Sequence, residues 1–321
     1  MNKLRCAVLD DYQHAALTSA DWSPIMDDVE VRSIHHHFGD EEQLAGAIGD
    51  CQIVVLMRER TPFPASLFDR LRHLKLLVTT GMKNAAIDLT AAQAHGVVVC
   101  GTSSRPEPPA ELTWALILAL ARNIVQETSA LRTGGAWQST IGADLRGQTL
   151  GLLGFGKIGA KVARVAQAFD MRVIAWSQNL TADRTNAAGV ELAASKEDLL
   201  GQSDFVSIHL VLGDRTRGLL GATDFTRMKP SAYLINTSRA AIVDQEAMVD
   251  ALREGRIAGA AVDVFDEEPL PKDHVLRALP NLIATPHLGY VTRANYSLFY
   301  REAVEDIAAF LSGTPIRVLG S

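Results

Sequence analysis

The sequence is poor in cysteine, and its three cysteines form no recognised pattern. Cys6, Cys51 and Cys100 are the only ones among 321 residues. Their number is odd, their spacing matches no metal-binding motif, and each lies in or beside an apolar run typical of a strand. We therefore interpret them as reduced core residues of a cytoplasmic protein and not as a disulfide framework.

Long apolar runs are also lacking. No run reaches the roughly 18 residues that a transmembrane helix requires. Residues 110–121 come nearest, but Glu111 and Thr113 interrupt them, which favours a buried helix. Asp10 and Asp11 follow the first residues so closely that the apolar core of a signal peptide has no room. We therefore expect no membrane partner.

The sequence has no block of basic residues either. Its net charge is −6, with both signs spread along the chain. This balance favours solubility, and we expect no nucleic-acid partner. Three consecutive histidines, His35, His36 and His37, have no further ligands nearby in the sequence. They predict a strand-end or surface cluster and no metal site.

Short apolar, β-branched runs alternate with stretches of helical pattern along most of the chain. Most of the runs look buried on both faces, which is typical of parallel sheets with crossover helices. At about 150 residues per domain, the length suggests two domains. The predicted strands are residues 6–9, 53–56, 74–78, 97–100, 149–153, 172–176, 205–208, 232–235, 260–263 and 282–285.

The alternation is interrupted once. A loop at residues 101–109 contains three prolines, and a predicted helix at 111–125 and an irregular stretch at 133–147 follow it. We therefore predict an α/β fold of two doubly wound parallel-sheet lobes, residues 1–100 and 101–290. The last predicted helix, about 292–311, has a stop signal in Gly313 and Pro315. It follows the second lobe, although a crossover could return it to the first.

A glycine-rich turn follows the predicted strand at 149–153. Its spacing is Gly154-x-Gly156-x-x-Gly159. Gly154 permits the tight turn, Gly156 lets the backbone approach a pyrophosphate, and Gly159 lets the next helix pack against the strand. That helix, Lys157–Ala168, directs its N–H groups and positive dipole end at the phosphates. Because the turn lies between a strand and a helix, it predicts a dinucleotide site.

The sequence leaves the choice between NAD and NADP open. An acidic residue about 20 positions after the glycines normally binds the adenosine ribose hydroxyls and disfavours a 2′-phosphate. Ser177 stands in that place and cannot repel a phosphate. The nearest arginine, Arg184, is seven residues further along. We therefore predict poor discrimination against NADPH.

Four further motifs lie at the ends of predicted strands. In an open parallel sheet, ligands bind at the carboxyl ends of the strands. We therefore expect Arg239, Glu268 and His287 to converge beside the nicotinamide. The motifs are Asn236-Thr237-Ser238-Arg239, residues 261–265, residues 266–269 and residues 285–289.

With these motifs in order, the sequence resembles the D-isomer-specific 2-hydroxyacid dehydrogenases over nearly its whole length. This family includes D-3-phosphoglycerate dehydrogenases and glyoxylate/hydroxypyruvate reductases. The resemblance implies hydride transfer between NAD(P)(H) and a small D-2-hydroxy acid or 2-keto acid. It also implies two Rossmann-like domains with a cleft between them. Further matching residues are Thr80-Gly81, Ala110-Glu111, residues 145–154, His209, Met228-Lys229-Pro230 and Gly313-x-Pro315.

The same resemblance implies a domain arrangement and a homodimer. Residues 1–100 plus 291–321 would form a flavodoxin-like substrate domain. Residues 101–290 would form the dinucleotide-binding Rossmann domain. The inserted helix and loop at about 110–147 would build the dimer.

The catalytic roles that the resemblance implies agree with the chemistry of the side chains. His287 suits the proton donor, because a histidine pKa near 6.5 lets it exchange protons at neutral pH. Glu268 would favour the imidazolium and fix the ring. Arg239 can bind a carboxylate and a carbonyl with its planar fork, which lysine cannot copy.

The remaining site residues follow from the motifs and the resemblance. The expected cofactor contacts are Gly154, Phe155, Gly156, Lys157, Ile158, Gly159, Trp176, Ser177, His209, Thr237, Ser238, Asp263 and Gly289. The expected substrate contacts are Gly81, Met82, Lys83 and Arg58. Many family members have a glycine where this sequence has Lys83. That side chain either binds an additional anionic group of the substrate or points to solvent.

The alternative is a dinucleotide-sensing regulatory protein. The C-terminal-binding-protein corepressors resemble the same family and keep the catalytic set. The present sequence ends at Ser321, soon after its last predicted helix, without the tails that such a role tends to need. We therefore favour the enzyme.

Overall fold

The chain divides into two compact units in a computed structural model, which describes residues 3–320. The first unit comprises Met1–Arg105 and Val291–Ser321, and the second comprises Pro106–Tyr290. The sequence places the first break five residues earlier, after residue 100. The last helix belongs to the first unit.

The first unit contains a five-stranded parallel sheet whose order, β2-β1-β3-β4-β5, is that of the flavodoxin-like fold. Its interior strands β3 and β4 are buried throughout, and all their residues except Thr79 are apolar. The strands are β1 (Leu4–Val8), β2 (Val29–Ser33), β3 (Ile53–Leu56), β4 (Leu76–Thr79) and β5 (Val98–Gly101). The helices are α1 (Glu41–Ile48), α2 (Ala65–Arg70), α3 (Leu89–Ala94) and α11 (Arg293–Leu311).

The second unit contains a seven-stranded parallel sheet of order β12-β11-β10-β9-β6-β7-β8. This is the classic Rossmann order with one added strand, and its direction of progression reverses between β6 and β9. The strands are β6 (Thr149–Leu153), β7 (Arg172–Trp176), β8 (Glu191–Leu192), β9 (Phe205–Ile208), β10 (Tyr233–Asn236), β11 (Gly259–Val262) and β12 (Leu282–Ala284). The helices are α4 (Glu107–Ala121), α5 (Ile124–Arg132), α6 (Lys157–Ala168), α7 (Ala182–Asn186), α8 (Lys196–Gln202), α9 (Ala222–Phe225) and α10 (Gln245–Arg253).

The predicted α/β fold with doubly wound parallel sheets is confirmed, and all ten predicted strands are present within two residues of their expected bounds. Two strands were missed. The edge strand β2 is mostly half-buried or exposed and mixes Val29 and Val31 with charged residues. Strand β8 has only two residues, both exposed, so no apolar run marks it.

The helix predicted at 111–125 is wrong at both ends. Helix α4 begins at Glu107, because Pro108 and Pro109 lie in its first turn, where a missing N–H costs no hydrogen bond. It ends at Ala121. Asn123 then adopts a left-handed conformation with φ of 50°, which separates α4 from α5.

Within residues 3–320, no helix combines the length and apolar character needed to cross a membrane. Cys6, Cys51 and Cys100 are all buried and free.

Candidate active site

The three glycines at the junction of β6 and α6 have different surroundings. Gly154 has φ of +102°, and a Cβ atom there would lie 2.7 Å from the carbonyl oxygen of His209. A Cβ on Gly159 would lie 2.4 Å from the carbonyl oxygen of Gly154. A Cβ on Gly156 would meet no described atom within 4 Å, although Gly156 caps the N-terminus of α6.

The space over Gly156 fits a dinucleotide pyrophosphate. It is open, it adjoins the positive end of a 12-residue helix, and a single Cβ would narrow it. Gly154 and Gly159 serve the fold itself, because each allows a close approach of two backbone segments. The residues present therefore fit the group that the glycine spacing predicts.

His209 follows β9 and lies behind the glycine loop. Its carbonyl adjoins Gly154, and its Cβ lies 3.7 Å from the position of a Cβ on Gly159. The Ser207 hydroxyl hydrogen-bonds Nε2 of His209 at 2.9 Å. Burial lowers the pKa of His209 to about 4, so the ring is neutral at physiological pH.

The end of β7 adjoins the other side of the loop. Leu153 pairs with Trp176 in the sheet, and the N–H of Gly154 donates to the carbonyl of Trp176 at 2.9 Å. Ser177 is the next residue and is half-buried. Ser177 is therefore placed where an adenosine ribose would lie beside a dinucleotide-binding loop.

His287 and Glu268 meet at the carboxyl edge of the second sheet, although 19 residues separate them. Nδ1 of His287 lies 2.7 Å from Oε2 of Glu268. The N–H of Phe265 donates to Oε1 at 2.9 Å. Burial alone would raise the pKa of Glu268. The His287 contact outweighs it, together with the Phe265 N–H and the positive charge of Arg239, and the pKa is lowered.

Asp263 follows β11 and holds the loop that carries His287. The hydroxyl of Thr285 and the N–H of Leu288 donate to its Oδ1 at 2.6 and 2.7 Å. The N–H of Gly289 donates to Oδ2 at 2.8 Å. Asp263 is fully buried, and burial raises its pKa against these hydrogen bonds. His287 itself has φ of 52°, so the loop holds it in a left-handed conformation.

Arg239 leaves the sheet two residues after Thr237, at the end of β10. The side chain of Asn236 fixes this turn, since its Nδ2 donates to the Arg239 carbonyl and its Oδ1 accepts from the Ser238 N–H, both at 3.0 Å. The Thr237 hydroxyl lies 2.9 Å from that of Thr113 on α4. The guanidinium of Arg239 donates to the Ser238 carbonyl at 2.8 Å.

The four predicted substrate residues lie in the first unit, at the ends of β3 and β4. The guanidinium of Arg58 lies against Gly81, where a Cβ would be 2.4 Å from Nη1. The N–H of Gly81 donates to the Thr102 hydroxyl at 3.0 Å. The N–H groups of Met82 and Lys83 make no hydrogen bond with the described residues. Both of these side chains are exposed.

Among residues 3–320, no group of three or more His, Cys, Asp or Glu side chains could hold a metal ion. His35, His36 and His37 follow the end of β2.

Comparison with known protein families identifies the family of this chain. Residues 114–289 match the family model of the NAD binding domain of D-isomer specific 2-hydroxyacid dehydrogenases. The chain belongs to the D-isomer specific 2-hydroxyacid dehydrogenase family. This 2-hydroxyacid dehydrogenase is therefore an oxidoreductase that acts on CH–OH groups with a nicotinamide dinucleotide.

Individual relatives and a solved structure support this family assignment. The dehydrogenase is 41% identical to the glyoxylate reductase of Aeropyrum pernix over 256 residues, which cover 77% of this chain and 76% of the relative. It is 35% identical to the D-3-phosphoglycerate dehydrogenase of Methanocaldococcus jannaschii over 85% of this chain, but spans only 52% of that protein. A phosphoglycerate oxidoreductase from Vibrio cholerae superimposes with a TM-score of 0.92 at 33% identity, covering 97% of this chain and 100% of the other.

One contact beside the glycine loop does not follow from the sequence. Arg184 of the dehydrogenase lies on α7, and its Nη2 donates to the carbonyl of Phe155 at 3.0 Å. Its distance along the chain from Ser177 concealed this contact. Only the direction of the turn between β7 and α7 reveals it.

Proposed function

We propose that the dehydrogenase interconverts a small D-2-hydroxy acid and its 2-keto acid, with His287 as the acid and base. The contact between His287 and Glu268 carries this proposal, because it lies at the carboxyl edge of a Rossmann sheet whose glycine loop is open for a dinucleotide. The names of the relatives, glyoxylate reductase and D-3-phosphoglycerate dehydrogenase, support the same substrate class.

The roles of the catalytic side chains follow from which atoms are already bonded. Nδ1 of His287 is occupied by Glu268, so Nε2 is the atom that exchanges a proton with the substrate oxygen. The lowered pKa of Glu268 keeps its carboxylate ionised, and its contact with Nδ1 orients the His287 ring for this proton transfer. Arg239 binds the substrate carboxylate and carbonyl oxygen. The bound nicotinamide supplies or accepts the hydride.

We assign the remaining residues by unit. The second unit binds the dinucleotide along Gly154–Gly159, Trp176, Ser177 and His209, and the first unit contributes substrate contacts from Arg58, Gly81, Met82 and Lys83. Asp263 and Gly289 belong to the nicotinamide end of the site. The Gly289 N–H donates to Asp263 and so holds the loop that carries His287. The homodimer and the cytoplasmic location stay predictions.

The test is turnover by the purified protein with a panel of 2-keto acids and both reduced dinucleotides, followed by nicotinamide absorbance. We expect at least one acid to be reduced. His287→Ala should lower turnover by a factor of about 10² to 10⁴, as for the loss of a general acid. His73→Ala, an exposed histidine in the first unit, is the matched control. A His287→Ala variant with full turnover would contradict the mechanism, and no turnover with any acid would favour the regulatory alternative.

A further inference from the structure

Arg184 is an exposed residue that contacts the dinucleotide loop. Strand β7 ends at Trp176, and a turn closed by the Leu180 N–H donating to the Ser177 carbonyl at 3.0 Å leads to α7. The guanidinium then reaches back to the carbonyl of Phe155 at 3.0 Å. Although α7 is short, the next residue, Thr185, is fully buried, and its backbone carbonyl accepts from the Val190 N–H at 3.0 Å. These contacts of Thr185 position the backbone of Arg184.

Ser177 and Arg184 lie beside neighbouring residues of the loop, Gly154 and Phe155 respectively. The N–H of Gly154 donates to the carbonyl of Trp176, which places Ser177 next to Gly154, while Arg184 binds the carbonyl of Phe155. In Rossmann folds, the end of this second strand is where the hydroxyls of the adenosine ribose are bound. Both residues therefore lie beside the expected place of the ribose.

Arg184 is the first cation after β7 and contacts the loop. Residues 172–182 contain no carboxylate, and the first acid after β7 is Asp183. Successive side chains on a helix point about 100° apart, so Asp183 does not share the direction of Arg184. A guanidinium has five N–H donors, of which the Phe155 carbonyl takes one. The others are available to an anion, and arginine suits a phosphate in particular.

We propose that Arg184, together with the hydroxyl of Ser177, forms a subsite for a phosphate on the adenosine ribose, so that this chain binds NADP(H) in preference to NAD(H). The inference rests on the proposed function, because it needs the dinucleotide to lie on the glycine loop. The inference goes beyond that function because it selects NADP(H) over NAD(H). The absence of an acidic residue at position 177 does not make this choice by itself.

The experiment measures the equilibrium binding of NADPH, NADH, 2′,5′-ADP and 5′-ADP to the full chain by calorimetry, without substrate. We expect NADPH to bind more tightly than NADH, and 2′,5′-ADP more tightly than 5′-ADP. Arg184→Ala should raise the Kd of NADPH about tenfold or more, the usual effect of losing a charge-assisted hydrogen bond. The Kd of NADH should stay nearly unchanged. Arg184→Lys, which keeps the charge without the fork, should lie between wild type and Arg184→Ala.

Arg164→Ala is the matched control, since Arg164 is an exposed arginine two turns along α6 and its loss changes the net charge equally. It should leave both Kd values unchanged. Tighter binding of NADH than NADPH by the wild type would overturn the subsite. An equal effect of Arg184→Ala on both dinucleotides would also overturn it. If the wild type binds neither dinucleotide, the proposed function itself fails, which is a distinct result.

Discussion

Nδ1 of His287 lies 2.7 Å from Oε2 of Glu268, and the N–H of Phe265 holds the other oxygen of the same carboxylate. Both side chains are mostly shielded from solvent, with 19% and 26% of their surfaces exposed. The carboxylate is thus oriented by the backbone, and it orients the ring in turn. The activity should therefore depend on this pair.

Glu268→Gln should lower kcat/KM for 2-keto acid reduction. The lowered pKa of Glu268 keeps its carboxylate ionised at neutral pH, and this carboxylate binds Nδ1 of His287 and orients the ring. Glutamine removes the charge from that hydrogen bond, so we expect a loss of about tenfold or more. Steady-state kinetics at neutral pH measure it, with exposed Glu267→Gln as the control. An unchanged kcat/KM would show that Glu268 does not position the acid.

Because the space over Gly156 is open, a substitution there can affect dinucleotide binding without affecting folding. Gly156 has φ of −90°, which any residue can adopt, and a Cβ there would meet no described atom within 4 Å. Gly156→Ala should therefore leave the melting temperature of the free protein nearly unchanged. The methyl group would lie where the pyrophosphate must approach, so dinucleotide binding should weaken by at least tenfold. Calorimetry and thermal melts check the two effects.

Gly159→Ala, in contrast to Gly156→Ala, should destabilise the fold. Its Cβ would lie 2.4 Å from the Gly154 carbonyl, so helix α6 must move away from the loop. We expect the free energy of unfolding to fall by about 1–3 kcal/mol, as for overpacking elsewhere. A Gly159→Ala protein as stable as Gly156→Ala would contradict the distinct roles of the two glycines.

The fold, and the position of the central candidate residues behind strands, could be predicted because local sequence determines them. Buried parallel strands produce apolar runs, and Gly154, Arg239 and His287 each lie close behind such a run. Arg184 could not be predicted in the same way. It lies on a five-residue helix, and its contact with Phe155 depends on the turn at residues 177–180.

The hydrogen bonds of Asp263 could not be predicted from the sequence either. The sequence predicts a polar residue near the nicotinamide, but not that both carboxylate oxygens bind the loop at residues 285–289. Those hydrogen bonds depend on the directions of backbone N–H groups, which carry no mark in the sequence.

The predicted homodimer can be tested at Ile141. This side chain is 96% exposed, and Trp137 nearby is 80% exposed, within the segment that the sequence analysis assigns to the dimer. Such large apolar surfaces usually mark an interface. Ile141→Asp should reduce the mass measured by light scattering from dimer to monomer at low protein concentration. Leu17→Asp, a partly exposed leucine of the first unit, should not. A wild type that is monomeric would refute the homodimer.

Asp306 on α11 links the stability of the first unit to pH. It is fully buried, and its Oδ1 accepts from Nε of Arg317 at 2.9 Å. Its Oδ2 has no hydrogen-bond partner among residues 3–320. Burial raises the pKa of Asp306 to about 7, although Arg317 opposes this, and the charges of Glu302 and Glu305 raise it further. Burial raises the pKa of the nearby Cys100 thiol to about 12, and the charge of Asp306 raises it further.

Because the unfolded chain has an aspartate pKa near 3.9, the folded chain binds more protons between about pH 4 and pH 7. The contribution of Asp306 to stability is therefore complete below pH 4 and declines as the pH rises through 7. Asp306→Asn does not titrate. Its stability relative to wild type should rise by about 1 kcal/mol or more from pH 4 to pH 7. Hydrogen exchange in α11, compared between variant and wild type at each pH, measures this difference. Exposed Asp27→Asn should give no such trend, and parallel curves for Asp306→Asn and wild type would show that Asp306 ionises as it does in the unfolded chain.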